Sequence, residues 1–293
     1  MNFCLDSFTV LKHKFIRRFK CQKGLWMERL GFYSELSWEG YQPVFIISTG
    51  RTGTTFLGGY FFNQFDNVLA YHEPQPDFYD LGVEMARGNT DELKTKKIIT
   101  ANRKWVLKEL DKKSARYYIE ANHYLFSLIP IIKEIFPRPK FVHIVRDGRE
   151  VLRSAYNRGW YRPASSYDYL KATDFSDDSF FESWDNLSRF EKIAWYWQKK
   201  DRYICDILKE ENNSLRIYFE NIFDAENNYA GMEKLINFLG LPSKKFRDYL
   251  KNKIRSSKSY ELPHWTDWED ERKEKFNNIA GEHLKYHGYS WGN

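Results

Sequence analysis

Cysteine is scarce in this sequence. Only three cysteines occur in 293 residues, Cys4, Cys21 and Cys205, and none belongs to a CxxC pair. An odd number of isolated cysteines supplies neither a disulfide framework nor a zinc site of the usual spacing. We therefore expect a chain of the reducing cytoplasm that holds no metal.

Long hydrophobic runs are also missing. No stretch approaches the roughly 18 consecutive apolar residues of a membrane-spanning helix. The first 20 residues lack an apolar signal-peptide core followed by a small-residue cleavage site. Positions 11–19 are basic and amphipathic, which favours a helix packed on the rest of the protein and leaves peripheral contact with a membrane as the alternative. No pattern indicates the oligomeric state.

Charge of one sign is not concentrated anywhere. The chain has 46 basic and 40 acidic residues, a net charge of +6, spread along its length. This distribution argues against a nucleic-acid partner and favours a local basic pocket for a small polyanion. The aromatic content of 18% is high, so we expect some rings to line a cleft as well as the core.

The chain instead contains apolar runs of strand length that alternate with helical patterns. The clearest runs are 44–48 and 140–145, and weaker ones lie at 68–71, 117–121 and 215–219. Helical spacing occurs at 187–197, and a helix is expected to stop at Gly240. This alternation predicts an α/β fold with a P-loop-like, mostly parallel β-sheet flanked by helices on both faces. No linker interrupts it, so we expect an N-terminal helical extension at 1–40 and one α/β domain at 41–293.

A Gly/Thr loop follows the first predicted strand. Residues 48–55 read STGRTGTT and lead into an apolar helix. Glycines in this setting let the backbone approach a ligand closely, and a helix N-terminus favours an anion. Thr54 follows Gly53 where a Walker loop would have lysine, which disfavours the usual ATP and GTP enzymes. The loop therefore predicts a phosphate or sulfate site around Arg51.

A second candidate anion site lies at the end of the 140–145 strand. Arg146 ends that strand, Asp147 can cap the next helix, and Ser154 follows two turns into it. Arginine offers a planar fork for phosphate oxygens, and a serine hydroxyl adds a donor. The pair indicates a ligand with a second phosphate, with a merely structural Arg-Asp cap as the alternative.

Both motifs resemble those of a known family. Residues 43–55, PVFIISTGRTGTT, resemble the 5′-phosphosulfate loop of sulfotransferases that use PAPS (3′-phosphoadenosine 5′-phosphosulfate), in the Arg-Thr-Gly-Thr-Thr form close to bacterial and Golgi-type members. Residues 142–160, VHIVRDGREVLRSAYNRGW, resemble the 3′-phosphate motif. The resemblance implies the sulfotransferase fold, PAPS as donor, and an acceptor hydroxyl on a glycan, lipid or small molecule.

The resemblance also implies roles for individual residues. Arg51 would contact the phosphosulfate and stabilise charge on the bridging oxygen, and Arg146 with Ser154 would bind the 3′-phosphate. Phe219 stands where the family has an adenine-contacting tyrosine. Late phosphate contacts are possible from Lys258 and its neighbours, although a solvated basic loop is at least as good an interpretation. The loop residues that would hold the 5′ end are Arg51, Thr52, Gly53, Thr54 and Thr55.

Sulfuryl transfer also needs a base near Arg51. Glu73 follows the second predicted strand, and loops after parallel strands converge on one crevice. It resembles the glutamate of sulfotransferases that act on tyrosines or glycans. His123 is the rival, near the position of the histidine of small-molecule sulfotransferases, although Ala-Asn-His replaces their Lys-Thr-His. We rank Glu73 first, His123 second and His72, as a partner of Glu73, third.

Three further interpretations stay open. The loop could belong to a phosphoryl-transfer kinase, or to a nucleotide- or glycan-binding module without activity. The aromatic segments at 160–161 and 264–268 are expected either to line the acceptor site or to pack in the core.

Overall fold

The structure is a computed structural model that describes residues 3–32, 36–163, 165, 167–242, 246–250 and 259–292. The strands are β1 (Gln42–Ser48), β2 (Val68–His72), β3 (Tyr117–Ala121), β4 (Lys140–Val145) and β5 (Ser214–Tyr218). The helices are α1 (Phe3–Arg29), α2 (Thr54–Gly59), α3 (Tyr79–Ala86), α4 (Glu92–Arg103), α5 (Trp105–Lys113), α6 (Ile129–Ile135), α7 (Gly148–Asn157), α8 (Arg189–Leu208), α9 (Phe219–Ile222), α10 (Ala230–Leu239), α11 (Phe246–Leu250) and α12 (Asp270–Tyr286).

The five strands form one parallel sheet in the order β2-β3-β1-β4-β5. In the registers that flank β1, Ile46 pairs with Ala121 on one side and Ser48 pairs with Ile144 on the other. After β1 the chain forms β2 and β3 on one side of β1, and it then forms β4 and β5 on the other side. Such a reversal of strand order opens a crevice at the carboxyl ends of the central strands, where ligands of α/β proteins bind.

Alternate residues of β1 enter two separate cores. Val44 and Ile46 pack with α2 and α10, whereas Phe45 and Ile47 pack with a larger core built on α4, α6 and α8. Strands buried on both faces explain the continuous apolar runs in the sequence. The predicted α/β sheet flanked by helices on both faces is confirmed.

Most predicted elements lie within a residue or two of the observed ones. Strand 140–145 and strand 117–121 match β4 and β3, and α10 ends before Gly240, which adopts φ 77°. Strand β5 is shifted by one residue, because Phe219 begins α9.

Helix α1 packs mainly on α4. Gly24 permits close approach, since a Cβ atom there would lie 2.2 Å from Asn102 Oδ1. Asn102 Nδ2 in turn donates to the carbonyl of Cys21 at 2.9 Å. The helix belongs to the N-terminal extension predicted at 1–40, and the domain boundaries themselves stay a prediction. No helix in the described parts of the chain combines the length and apolar character needed to cross a bilayer.

Candidate active site

A cavity of about 630 Å³ lies at the carboxyl ends of the strands. Every strand is followed, within three residues, by a side chain that lines it: Arg51 after β1, Glu73 after β2, His123 after β3, Arg146 after β4 and Phe219 after β5. The parallel sheet thereby brings together residues that are far apart in sequence.

The loop between β1 and α2 carries Arg51 at the cavity wall. The hydroxyl of Ser48 accepts from the backbone N–H of Gly50 at 3.1 Å and from Thr52 Oγ1 at 2.7 Å. Arg51 adopts φ 61°, a left-handed conformation that costs an ordinary residue energy. Gly53 also requires positive φ, and a Cβ atom there would lie 3.1 Å from the Phe223 ring. Hydrogen bonds within the turn therefore fix its conformation, and residues 51–55 line the cavity.

Arg146 and Ser154 are attached directly to this loop. Arg146 Nη1 donates to the carbonyl oxygen of Arg51 at 2.7 Å, and Arg51 Nε donates to Ser154 Oγ at 2.9 Å. Asp147 accepts from the backbone N–H of Arg149 and so caps α7, as expected. The two predicted anion sites thus form one continuous cationic wall.

Phe219 lies beneath Arg146. The guanidinium carbon of Arg146 is 4.4 Å from the centre of the Phe219 ring. The following residue, Glu220, accepts from the backbone N–H of Asp147 and from Tyr289 Oη. These bonds fix the start of α9 against the start of α7, so the ring has a defined place at the cationic end of the cavity.

Glu73 and His123 meet where β2 and β3 end. His123 Nε2 lies 3.4 Å from Glu73 Oε1. His72 Nδ1 lies 3.7 Å from the same oxygen, but 3.2 Å from the carbonyl of Ala121. Because a carbonyl only accepts, that contact places the His72 proton on Nδ1 and directs it to the backbone. Of the two histidines, His123 is the nearer neighbour of the carboxylate.

A buried ion pair anchors the loop that carries Glu73. Arg103 pairs with Glu120 at 2.8 Å, and its Nη2 donates to the carbonyls of Pro74 and Pro76 at 3.3 and 3.0 Å. Glu73 itself has φ 47°, a second left-handed residue in this cavity. Strained residues concentrate where the surrounding structure imposes their conformation, often at functional sites.

Lys200 completes this end of the site. It lies on α8, is buried, and its Nζ is 2.9 Å from His123 Nδ1. Sequence reasoning missed it, because the lysine is 77 residues from the histidine it contacts. It also missed Arg158, which lines the cavity one helical turn after Ser154. The i, i+4 spacing of Ser154 and Arg158 was a readable signal, whereas no local pattern marks Lys200.

Burial and charge shift the titration of this cluster. Burial raises the pKa of Glu73 to about 7, Asp77 adds to the rise, and Lys200 and Arg51 oppose it. Burial, then the charge of Lys200, holds the pKa of His123 well below its usual range. Burial also lowers the pKa of Lys200. Burial, with Arg158 and Arg146 nearby, lowers the pKa of Arg51. A carboxyl group that titrates near neutrality suits proton transfer.

Aromatic side chains line the rest of the cavity, as the composition predicted. Trp160 stacks on His123 with ring centres 6.4 Å apart, and Tyr124 stacks on Tyr167 at the same separation. Tyr79, Tyr169 and Tyr196 line the cavity next to these rings. Phe56, Phe219, Phe223 and Tyr260 line other parts of its wall. The cavity therefore has a cationic end and a ring-lined end, with Glu73 and His123 between Arg51 and the rings.

Several other residues that the sequence proposed for the site do not line this cavity or cannot be placed in it. Tyr161 donates to the carbonyl of Leu170 and does not line the cavity as Trp160 does. Within the segment 264–268, Trp265 and Thr266 line a separate small cleft, and Trp268 is buried in the core. Lys258 lies outside the described residues, as do Arg255 and Ser257.

Within the described parts of the chain, a different buried cluster contains the side chains that are grouped closely enough to hold a metal ion. His143, His283 and His287 each place Nε2 within 2.6–2.9 Å of the carboxylate of Asp201. Cys205 Sγ is 3.6 Å from the same carboxylate. The separations between nitrogen and oxygen are those of hydrogen bonds. The cluster joins β4, α8 and α12, and its residues do not line the large cavity.

Solved structures of other proteins share the fold of this chain. A sulfotransferase from Mycobacterium tuberculosis, STF1, superposes with a TM-score of 0.54 at 11% identity, covering 92% of this chain and 84% of that one. A sulfotransferase from Mycobacterium avium, STF9, gives 0.51 at 12% identity, covering 94% and 83%. At such low sequence identity, these superpositions establish a shared fold and nothing further. No curated protein sequence matches the chain.

A family profile supplies the stronger evidence. The profile described as "Sulfotransferase family" matches residues 43–245, well over half of the 293 residues. The match includes Arg51, Glu73, His123, Arg146 and Lys200. This protein belongs to the sulfotransferase family.

Proposed function

We propose that this protein transfers a sulfuryl group from PAPS to a hydroxyl of a glycan, lipid or small molecule. The observation that carries the proposal is the joint placement of Arg51, Arg146 and Arg158 in one cavity with Glu73. The arginines suit a polyanionic donor, and a carboxyl group with a pKa of about 7 suits removal of the acceptor proton.

Two cationic positions match the two ends of the donor. The loop at residues 51–55, of the Arg-Thr-Gly-Thr-Thr type, would hold the 5′-phosphosulfate. Arg146 and Ser154 would bind the 3′-phosphate, and the Phe219 ring would stack on adenine. The hydrogen bond from Arg51 to Ser154 supports this assignment, because it links the groups that bind the two ends. A late phosphate contact from Lys258 remains part of the proposal.

The transfer is an in-line displacement. The acceptor oxygen forms a bond to sulfur while the bond from sulfur to the bridging phosphate oxygen breaks, and Glu73 takes the hydroxyl proton. The electron pair of the breaking bond goes to the phosphate oxygen, where Arg51 stabilises the charge. Adenosine 3′,5′-bisphosphate (PAP) then leaves. The arginines of the cavity neutralise the donor, so we propose that the step uses no metal.

The contact between Lys200 and His123 favours Glu73 over His123 as the base. A proton donated by Lys200 to His123 Nδ1 leaves the ring proton on Nε2, the nitrogen that faces Glu73. In this tautomer Nε2 has no lone pair to accept the acceptor proton. We assign His123 as a donor that orients Glu73, and Lys200 as the positioning residue that fixes the tautomer.

The ring-lined end of the cavity is the proposed acceptor site. Trp160 and Tyr124 lie next to His123, so an acceptor stacked there would bring its hydroxyl towards Glu73. Aromatic rings bind the apolar faces of sugars as well as aliphatic chains, and Tyr hydroxyls add polar contacts. Such a site could therefore bind a glycan, a lipid or a small molecule.

The test is incubation of the protein with PAPS labelled in the sulfuryl group and a fractionated extract of the source cells. We expect labelled products that gain the mass of one sulfuryl group, with release of PAP. Transfer from ATP with Mg²⁺ in place of PAPS would establish a kinase instead. Tight binding of PAP without any product, in every fraction, would indicate a nucleotide-binding module and contradict the proposal.

A further inference from the structure

Among the described residues, the large exposed apolar side chains are concentrated on one segment. Eight large hydrophobic side chains are exposed in the described residues, and six of them lie between positions 15 and 32. Phe15, Phe19 and Trp26 on α1 are 70%, 66% and 66% exposed, and Leu30 and Phe32 follow just after the helix. Contiguous exposed apolar side chains of this kind mark interaction sites.

The three rings share one face of α1. At about 100° per residue, Phe15, Phe19 and Trp26 fall within an arc of about 40°, and they span about 16 Å along the helix. We call them the aromatic stripe. Gly24 and Arg17 point to the opposite side, where Gly24 meets Asn102 and Arg17 forms two hydrogen bonds with Asp80 at 2.8 and 2.9 Å.

Basic residues border the aromatic stripe on both edges. The same helical geometry places Arg18 and Arg29 on one edge and Lys12 and Lys23 on the other, all of them exposed. Among the described side chains from position 12 to 32, every exposed charged group is basic. The acidic Glu28 is turned inward, and its carboxylate pairs with Lys104 at 2.8 Å.

We propose that the aromatic stripe and its basic edges dock this protein on the surface of an anionic lipid bilayer. Aromatic rings enter the headgroup region with lysine and arginine on either side, the pattern of helices that lie in the membrane interface. Docking on a second copy through the same face would set like charges against each other, which opposes association.

The docking face is close to the acceptor end of the cavity. The Arg17 guanidinium lies over the rings of Tyr79 and Tyr167, at 5.2 and 5.6 Å, and both rings line the cavity. Lys20 donates to Gln75, two residues after Glu73. The aromatic stripe thus lies on the face of α1 that points away from these contacts, and one helix diameter, about 10–12 Å, separates the two faces. Taken with the proposed function, on which this step alone rests, docking would favour a membrane-borne hydroxyl as acceptor.

The test is flotation of the full chain with vesicles of phosphatidylglycerol and phosphatidylcholine, and with phosphatidylcholine vesicles alone. We expect flotation with the anionic vesicles and release at high salt, where the screening length falls to about 3 Å at 1 M. Quenching of Trp26 by brominated lipid, absent in Trp26→Phe, would place the stripe in the bilayer. The assay needs neither PAPS nor turnover, so its failure is distinct from failure of the proposed function.

Two variants separate the stripe from general surface effects. Phe15→Ser with Phe19→Ser should lower vesicle affinity at least tenfold. Leu93→Ser with Tyr286→Ser, which alters side chains that are 61% and 57% exposed elsewhere, should leave it unchanged. Replacing Arg18, Lys23 and Arg29 by Gln should weaken binding about fivefold per charge, hence about a hundredfold.

Three results would overturn the proposal. They are absence of flotation at low salt, equal loss of flotation in the Leu93 and Tyr286 control, and a dimer that the stripe variant converts to a monomer. The last result would show that a second copy covers this face. Circular dichroism of each variant, expected to match that of the unmodified chain, checks that α1 remains folded.

Discussion

Lys200 Nζ lies 2.9 Å from His123 Nδ1, and both side chains are buried. In the proposed mechanism this contact fixes which nitrogen of His123 carries the proton, and with it the choice of Glu73 as the base. It joins α8 to the end of β3 and therefore depends entirely on the packing of helices against the sheet.

Replacing Lys200 by methionine preserves the side-chain length and removes the donor to His123. We expect kcat to fall by up to about a hundredfold, as for other losses of alignment, with the KM for PAPS unchanged. Nitrogen NMR should show the proton on His123 Nε2 in the unmodified protein and a mixture of tautomers in the variant. An unchanged tautomer together with full activity would remove Lys200 from the mechanism.

Glu73→Gln removes the proposed base with little change in volume. We expect kcat to fall by about 10²–10⁴, the usual contribution of a well-placed base, while PAP affinity stays within about twofold. His123→Ala should be less damaging, because His123 only orients the carboxylate. If both variants formed sulfated product at the normal rate, the mechanism would be wrong even where PAPS binds.

The pH dependence follows from the pKa of Glu73, which burial raises to about 7. A base works when it is deprotonated, so kcat/KM should fall as the pH drops below about 7 and level off above it. The Glu73→Gln variant should lack this acid limb. Values of kcat/KM measured from pH 5 to 9 in both proteins test the assignment. The same decrease at low pH in the variant would show that a group other than Glu73 titrates.

Arg146→Ala should distinguish ligands by their 3′-phosphate. A hydrogen bond to a charged group is worth about 1.5–3 kcal/mol, so PAP affinity should drop roughly ten- to a hundredfold. Affinity for adenosine 5′-phosphosulfate, which lacks that phosphate, should fall much less, by the effect of losing the hydrogen bond from Arg146 to the Arg51 carbonyl alone. Arg216→Ala, on β5 and outside the cavity, serves as the control. Equal losses for both ligands in calorimetry would contradict the 3′-phosphate site.

Asp201→Asn tests the buried cluster that joins β4, α8 and α12. Burial opposes ionisation of Asp201, but three imidazoles outweigh it and hold its pKa well below the usual range. The carboxylate therefore stabilises the fold fully above its unfolded pKa of about 3.9, and this stabilisation is lost as the pH falls below that value.

Breaking a buried charged network usually costs about 3–5 kcal/mol, which is the loss of unfolding free energy expected for Asp201→Asn at pH 7. The variant should also lose less stability than the unmodified protein between pH 5 and 3. Asp206→Asn, exposed on the same helix, should change neither quantity. Urea denaturation across this pH range decides the matter, and equal curves for all three proteins would exclude a stabilising role for the cluster.

The sequence by itself determined the sheet and revealed the two motifs that are predicted to bind anions. Strand β1, the loop around Arg51, and the run from Arg146 to Ser154 are each continuous segments, so apolar periodicity and local turn chemistry reveal them. Convergence of Glu73 and His123 also followed, since loops after parallel strands share one edge. The choice between those two residues did not follow.

Only the tertiary structure decided the surroundings of these motifs. Lys200 reaches His123 from a helix 77 residues away, a contact that no local pattern encodes. The segment 264–268 is aromatic, as the cavity wall is, yet Trp265 lines a separate cleft and Trp268 is buried in the core. For α1, the sequence showed an amphipathic, basic helix, but its packing on α4 decided which face stays exposed. Interactions between residues close in sequence determine the strands and turns. Long-range packing determines which polar groups are buried next to one another, and burial together shifts their pKa values.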